Sequence, residues 1–273
     1  MSFAAMMVHL DVERDCEQRV QLALDLAHRF EAALIGIAGL PLRPAFSAGG
    51  IVVYGEPSEQ DCRAVAARFE EMGRKFCAQG QHLKEVEWRT ALELPSDLIT
   101  REARAADLVI LGPRHGSGPV RDLVEPGEVL LRVGLPILIV PDTIARLPLR
   151  RVVVACKDTR ECRRAVRDSL PFLRRAKEIL LVEIGEESSK SQEKTGLADI
   201  ARYLARHDVI VADEIWRRAR GPAASELLEL VRSENADLVV AGGYGHSRLG
   251  EWIFGGVTHQ VLSSSEVCCM LSH

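Results

Sequence analysis

The sequence predicts an α/β protein built from two tandem, doubly wound units. Three observations lead to this fold class. The chain has 273 residues, which at roughly 150 residues per domain suggests two domains. Residues 106–112 (ADLVILG) recur with few changes as residues 236–242 (ADLVVAG), which indicates a tandem duplication of one domain-sized unit. Short apolar runs alternate with amphipathic stretches through each half, as in a parallel sheet covered by helices.

Each unit opens and closes on an apolar strand, in the same order. The opening strands are residues 8–11 and 152–155, and each leads to an acidic residue. The closing strands are 136–140 and 267–271. An exposed apolar edge strand invites aggregation, so we expect 267–271 to be covered. The two closing strands can pair inside the chain and make a pseudo-dimer of the two units.

The boundary between the units is predicted at residues 142–148, a short linker between the closing strand of one unit and the opening strand of the next. It divides the chain into a first domain, 1–145, and a second, 146–273. Residues 41–58 lengthen the first unit and are expected to be an insertion. The polar, non-periodic residues 185–195 are expected to form a loop in the second.

Between the strands, helices are predicted where apolar residues recur every three or four positions. Such stripes occur at Cys62, Val65, Phe69, Met72 and Phe76 in the first half and at Ala224, Leu227, Leu228 and Val231 in the second. Further strands, apolar on both faces, are predicted at 179–182, 209–211 and 238–240.

The composition is that of an ordinary globular protein. Hydrophobic residues make up 47% and charged residues 27%, which excludes wholesale disorder. With a net charge of -4 and no basic block, nucleic-acid binding is disfavoured. No apolar run approaches the ~18 residues of a membrane helix, and the N-terminus turns acidic too soon for a signal peptide. We therefore expect a cytoplasmic protein that does not insert into membranes.

The seven cysteines favour reduced thiols used as small hydrophobes. Their odd number, without CxxC spacing, argues against a disulfide framework and a four-thiolate zinc site.

A glycine-rich segment follows the strand that ends at Val240. Gly242 and Gly245 lie three residues apart, the pair Gly255-Gly256 follows, and residues 257–262 are predicted to start a helix. Glycines let backbone N–H groups face a ligand, and a helix N-terminus attracts anions, so the segment suits a phosphate. It is neither a Walker P-loop nor GxGxxG. The alternative is that the glycines serve only a tight turn and close helix–sheet packing.

This segment resembles the nucleotide motif of the universal stress protein family. That motif is a glycine, two residues, a glycine, nine residues, then a glycine followed by Ser or Thr, and Gly242, Gly245 and Gly255 fit the spacing. The resemblance covers essentially the whole chain, as a tandem two-domain member, and is stronger in the second half. It implies a mainly parallel five-stranded sheet flanked by helices in each half, with ATP or AMP bound along the glycine loop.

Carried over residue by residue, the resemblance implies a nucleotide site in the second half. Its residues would be Cys156, Lys157, Asp158, Ala241, Gly242, Gly245, His246, Arg248, Gly255, Gly256, Val257 and Thr258. Asp158 would lie near the adenine and ribose, and Thr258 near the phosphates. Gly256 replaces the family's Ser or Thr, which removes a hydrogen bond worth roughly 1.5–3 kcal/mol to a charged group. Mg²⁺ is expected only with a triphosphate.

The first half carries the fold signal without this site. No glycine follows Gly112 at the second motif position, and the glycine pair aligns with 123–124, between Asp122 and Glu125. Carboxylates there would repel a phosphate, so this half is interpreted as degenerate for ATP.

Two acids have a simpler interpretation as helix caps. Asp158 is followed three residues later by Glu161, as in a capping box, and capping is compatible with nucleotide contact. Asp11 is also interpreted as a cap.

No catalytic constellation and no metal site are predicted. The eight histidines form no HExxH motif, and the serines have no GxSxG context. Two functions are kept. The first is a regulatory protein that binds ATP or AMP in its second domain, with at most slow ATP hydrolysis and a possible homodimer. The alternative is an interaction module that uses the fold without nucleotide; a dedicated enzyme comes third.

Overall fold

The structure is a computed structural model that describes residues 2–42, 45–48, 51–54, 58–113, 124–185, 190–243 and 266–273. The first half contains the strands β1 (Ala5–His9), β2 (Ala33–Gly39), β3 (Ala45–Ala48), β4 (Ile51–Tyr54), β5 (Val86–Ala91), β6 (Leu108–Leu111) and β7 (Ile137–Ile139). Its helices are α1 (Glu17–Phe30), α2 (Glu59–Gln79), α3 (Pro95–Glu102) and α4 (Pro126–Val133).

The second half repeats this alternation. Its strands are β8 (Arg151–Ala155), β9 (Glu178–Gly185), β10 (Asp213–Arg218), β11 (Leu238–Gly242) and β12 (Cys268–Ser272). Its helices are α5 (Arg160–Asp168), α6 (Leu170–Leu173), α7 (Lys190–Ala205) and α8 (Ala223–Ser233). Both predicted apolar stripes lie on helices, α2 and α8.

Ten strands form one sheet in the order β10-β9-β8-β11-β12-β7-β6-β1-β2-β5. All neighbours within the first half pair in parallel, and so do all neighbours within the second. Each half is thus a doubly wound unit of five parallel strands, and the predicted fold class is confirmed. Strands β3 and β4 form a separate antiparallel hairpin within the predicted insertion.

The central strands are buried on both faces because helices cover both sides of the sheet. In β8, Val152 and Val154 belong to one core cluster, whereas Val153 belongs to the cluster on the opposite face. This alternation follows from the two-residue period of a strand. It explains why the central strands are continuously apolar instead of alternating with polar residues.

The two halves meet along β7 and β12, which pair antiparallel with Met270 opposite Leu138. Every residue of β12 is buried, so the prediction that 267–271 is covered is confirmed. Three phenylalanine rings of one core cluster connect the halves on one face of the sheet. Phe172 of the second half lies 5.1 Å from Phe3 and 5.5 Å from Phe30 of the first, between ring centroids.

Two predicted elements are wrong. Residues 209–211 form no strand: Val209 N–H donates to the Leu204 carbonyl in the turn that ends α7, and Ile210 is 87% exposed. The strand in this part of the chain is β10, which lies at the edge of the sheet. Most of its residues are polar, so it does not appear as an apolar run in the sequence. The predicted loop 185–195 is also wrong, because β9 runs to Gly185 and α7 starts at Lys190. A polar composition without apolar periodicity does not exclude a helix of good helix-forming residues.

The helix caps also differ from prediction. Thr159, not Asp158, caps α5, and its hydroxyl accepts a hydrogen bond from the Cys162 N–H at 3.2 Å. Asp11 is not the cap of α1, which begins after Cys16. Asp11 instead forms an ion pair with Arg19. In both units the helix begins further along the chain than it would if Asp11 or Asp158 were its cap.

None of the described helices is long and apolar enough to cross a membrane. Within the described ranges, no cluster of three or more His, Cys, Asp or Glu side chains could hold a metal ion.

Candidate functional site

The strand order places a switch point between β8 and β11 in the second unit. β8 leads to β9 on one side, whereas β11, later in the chain, lies on its other side. The register pairs Ala155 with Ala241, so the residues that follow β8 lie beside Gly242. In an open α/β sheet, ligands bind in the crevice outside the carboxyl ends of the strands at such a point. The structure therefore brings Cys156, Lys157, Asp158, Ala241 and Gly242 to one sheet edge.

Lys157 and Asp158 form the exposed part of this edge. The Asp158 side chain is 93% exposed and pairs with Arg163 of α5. Lys157 is also exposed, and its N–H donates a weak hydrogen bond, 3.5 Å long, to the Cys162 sulfur. Both side chains are accessible to a ligand in solution.

Ala241 and Gly242 lie beneath these exposed side chains, at the end of β11. Ala241 is buried, and Gly242 lies directly against the first turn of α5. A Cβ on Gly242 would lie 2.6 Å from the Cys162 backbone nitrogen and 2.7 Å from the Glu161 carbonyl carbon. Because those atoms are backbone, they cannot turn aside as a side chain can. Close helix–sheet packing therefore requires glycine at this position.

Two buried thiols lie just beneath the exposed edge. Cys156 follows β8, and Cys162 is the third residue of α5. Each is the largest influence on the pKa of the other: the Cys162 thiol raises the pKa of Cys156, and the Cys156 thiol lowers that of Cys162. Burial by itself favours a higher pKa for both thiols. For Cys162 the hydrogen bond from the Lys157 N–H acts against burial and lowers the pKa further. Sequence reasoning missed Cys162, whose signal was its place three residues after a capping threonine.

The remaining predicted site residues lie outside the described residues. They are Gly245, His246, Arg248, Gly255, Gly256, Val257 and Thr258. Gly243, at the near end of this segment, donates to the Ser272 carbonyl at 2.8 Å. A Cβ there would lie 2.5 Å from Leu130 of α4, so the start of the segment packs against the other half of the chain.

The first unit has an equivalent switch point between β1 and β6, with different contents. Arg19, the third residue of α1, occupies the place that Cys162 has in α5. Its guanidinium pairs with Asp11 and lies against Gly112, where a Cβ would be 1.9 Å from Nη1. Arg19 is only 2% exposed, and its Nε has no hydrogen-bond partner. A charged side chain thus lies at the switch point of this unit, against Gly112.

Arg19 is a residue that sequence reasoning missed. Its signal was an arginine inside the apolar face of α1, next to the buried Val20 and Leu22. The neighbouring His9 is also buried, and its Nδ1 lies 4.0 Å from the Asp11 carboxylate. Burial lowers the pKa of His9 to about 4, with Arg19 lowering and Asp11 raising it. His9 is therefore neutral at pH 7.

Known structures share this architecture along the full chain. A universal stress protein from Archaeoglobus fulgidus DSM 4304 matches with a TM-score of 0.75 and 15% identity, covering 98% of each chain. A functionally unknown protein from Pseudomonas aeruginosa PAO1 matches with a TM-score of 0.62 and 14% identity, covering 99% of this chain and 92% of that one. At such identities the likeness concerns the fold alone.

A sequence comparison gives the family of the second unit. None of the curated proteins is a significant match. Residues 148–273 match the family model described as the Universal stress protein family, and they contain both the β8–β11 edge and the glycine-rich segment. The resemblance inferred from the glycine spacing is confirmed, and residues 148–273 form a unit of the universal stress protein family.

Proposed function

We propose that this protein is a regulatory adenine-nucleotide-binding protein, with ATP or AMP held at the carboxyl ends of β8 and β11. The observation that carries the proposal is the switch point between these strands. There the exposed Lys157 and Asp158 lie beside Gly242, from which the family-like glycine spacing continues. Parallel α/β sheets bind their ligands at this position.

The residues of the edge have complementary tasks in this proposal. Asp158 accepts hydrogen bonds from the ribose or adenine, and Lys157 attracts the phosphates. Gly245, Gly255, Gly256, Val257 and Thr258 bind the phosphate chain through backbone N–H groups and one hydroxyl. Mg²⁺ accompanies a triphosphate through its phosphate oxygens. With no general base identified among these residues, ATP hydrolysis is slow at most.

In this proposal only the second unit binds nucleotide. The buried Arg19–Asp11 pair lies against Gly112 and occupies the crevice of the first unit. Moving the buried Arg19 guanidinium away from Asp11 would break this ion pair, and loss of one partner of a buried pair costs about 3–5 kcal/mol. The first unit then has a structural role: its β7 and its phenylalanine rings support the second.

We further propose that the domains are 1–145 and 146–273, arranged as an intrachain pseudo-dimer. The antiparallel pairing of β7 with β12 supports this arrangement. So do two contacts between halves: Arg29 Nη1 donates to the Leu147 carbonyl at 2.6 Å, and Arg164 Nη2 donates to the Gly134 carbonyl at 2.8 Å. A homodimer of the whole chain would have to use another surface than the β7 and β12 edges.

The alternative function is an interaction module that needs no nucleotide. One observation favours it: packing against α5 accounts for Gly242 without any ligand. Gly112 of the first unit is likewise explained by a protein contact, to Arg19. On this alternative the glycine spacing would be a packing feature inherited with the fold.

Calorimetric titration of ATP and AMP into the full-length protein decides between the two functions. Gly242 is unsuitable for the test because its substitution disturbs the fold. Gly245→Val, which adds a bulky side chain to the motif, and Asp158→Ala, which alters an exposed residue, are the informative variants. Asp199→Ala is a matched control, because Asp199 is a similarly exposed aspartate paired with an arginine, Arg202, on α7.

Micromolar binding by wild type and Asp199→Ala, weakened at least tenfold in Asp158→Ala and lost in Gly245→Val, would support the nucleotide site. Binding that all three variants retain would place the nucleotide elsewhere. No heat with either nucleotide, together with no nucleotide released from the purified protein on denaturation, would favour the interaction module.

A further inference from the structure

The Cys156 and Cys162 thiols interact at the end of β8. The Cys162 sulfur lies by the backbone on either side of Cys156, 3.8 Å from the Ala155 carbonyl oxygen and 3.5 Å from the Lys157 nitrogen. The two cysteines flank the short turn that joins β8 to α5. The Cys156 thiol donates to the Val154 carbonyl at 3.4 Å, and the Cys162 thiol approaches the next carbonyl, that of Ala155, at 3.8 Å. The two thiols are thereby held against consecutive peptide groups.

The two thiols are chemically unequal. Cys162 lies in the first turn of α5, where the helix dipole stabilises a thiolate. It accepts a hydrogen bond from the Lys157 N–H, and the Cys156 thiol lowers its pKa. Cys156 has a raised pKa and keeps its proton. One cysteine is thus favoured as the nucleophile, and the other remains a thiol beside it.

We propose that Cys156 and Cys162 are a modification site, a thiol pair that hydrogen peroxide oxidises to an intrachain disulfide. The Cys162 thiolate attacks one peroxide oxygen and breaks the O–O bond, giving a sulfenic acid and, after protonation, one water. The Cys156 sulfur then attacks the sulfenic sulfur and releases a second water. The two thiols lose two electrons and two protons in total, and the hydrogen peroxide is reduced to the two waters.

The surroundings distinguish this pair from the other cysteines. The turn between the two cysteines contains Lys157, Asp158 and Arg160, which are exposed among the described residues, so a peroxide of nearly water size has a short path from this side. Cys268 and Cys269 are adjacent, but they belong to core clusters on opposite faces of the sheet. Burial raises the pKa of Cys268 to about 12 and that of Cys269 further, which keeps both protonated.

The first unit provides an internal comparison. Cys156 corresponds by strand register to Leu10, and Cys162 corresponds by helix position to Arg19. The duplicated fold therefore does not itself require sulfur at either place. The thiol pair is a property of the unit that carries the glycine-rich segment.

Peptide mapping of the oxidised full-length protein tests the proposal. The protein is treated with hydrogen peroxide, its remaining thiols are alkylated, and it is digested with trypsin without reduction. Trypsin cleaves after Lys157 and Arg160, so the disulfide joins peptides 152–157 and 161–163. We expect this linked species to form with loss of two of the seven thiols and to disappear on reduction. In Cys156→Ser we expect a dimedone adduct on Cys162 instead.

The control variant Cys62→Ser/Cys77→Ser removes two thiols outside the pair, including the exposed Cys77, and should give the same linked peptides. Recovery of peptides 152–157 and 161–163 separately, both alkylated, under conditions that oxidise Cys77 in the wild type would overturn the proposal. This map needs only the wild-type chain, so a variant that fails to fold does not affect it.

A consequence for nucleotide binding rests on the proposed function. The disulfide would fix the turn that carries Lys157 and Asp158, so we expect it to change ATP affinity at least tenfold. Titrations of the reduced and oxidised proteins measure this separately from the peptide map. No binding by the reduced protein would contradict the nucleotide site, whereas the linked peptides would still establish the disulfide.

Discussion

The guanidinium of Arg19 lies directly against Gly112, at the point where the first unit would otherwise have an open crevice. The second unit has Cys162 and Gly242 at the equivalent places, and there the backbone of α5 itself approaches the glycine. The same glycine of a duplicated strand thus makes room for a buried ion pair in one unit and for a helix terminus in the other.

Gly112→Ala should destabilise the protein by about 1–3 kcal/mol, the usual effect of overpacking. The new methyl group would lie 1.9 Å from Arg19 Nη1, and Arg19 cannot move without leaving Asp11. Gly196→Ala is the matched control, because Gly196 lies in α7 with open space around it and should gain up to about 1 kcal/mol. Urea unfolding measures both. Equal stability of the two variants would contradict the Arg19 contact.

Gly242→Ala should destabilise the protein more than Gly112→Ala does. The added methyl group meets backbone atoms of Glu161 and Cys162, so α5 must move as a whole. We expect an effect at or above the upper end of the same range, about 3 kcal/mol. Urea unfolding of the two variants side by side gives the order, and a reversed order would show that α5 yields more easily than the Arg19–Asp11 pair.

The stability of the protein should fall as the pH is lowered from 6.5 towards 4, in part because of His9. Its folded pKa of about 4 lies below the value of 6.5 for an unperturbed histidine, so the unfolded chain binds a proton first. Stability from this group is present above pH 6.5 and is lost through that window, by about 3 kcal/mol at ~1.4 kcal/mol per pKa unit. His9→Gln, which cannot titrate, should show a shallower fall in urea midpoint, and an unchanged slope would exclude His9 as its source.

Phe30 and Phe172 should be energetically coupled although they belong to different halves. Their rings meet edge to face, with centroids 5.5 Å apart and an interplanar angle of 87°. A double-mutant cycle with leucine at both positions should give a coupling energy of about 0.5–1.5 kcal/mol. Phe69 belongs to a separate cluster, so the Phe69/Phe172 cycle should be additive within about 0.5 kcal/mol. Additivity in the first cycle would mean that the rings do not stabilise the joint between the halves.

The sequence by itself indicated the fold class, the duplication and the family of the second unit. The repetition of residues 106–112 as 236–242 and the continuous apolar strands are local patterns. They can therefore be recognised without knowing which residues are in contact. Prediction was wrong where local composition misleads. β10 is a polar edge strand, and α7 begins with residues that have no apolar stripe.

Tertiary structure alone decided what surrounds each strand end. Three contacts depend on elements brought together by strand order: the first turn of α5 against Gly242, the Arg19 guanidinium against Gly112, and the Cys156 thiol against that of Cys162. Asp11 and Asp158 look alike in sequence, yet one is paired with a buried arginine and the other is exposed. The physical reason is that burial and charge pairing are set by neighbours distant in the chain, whose positions local patterns do not encode.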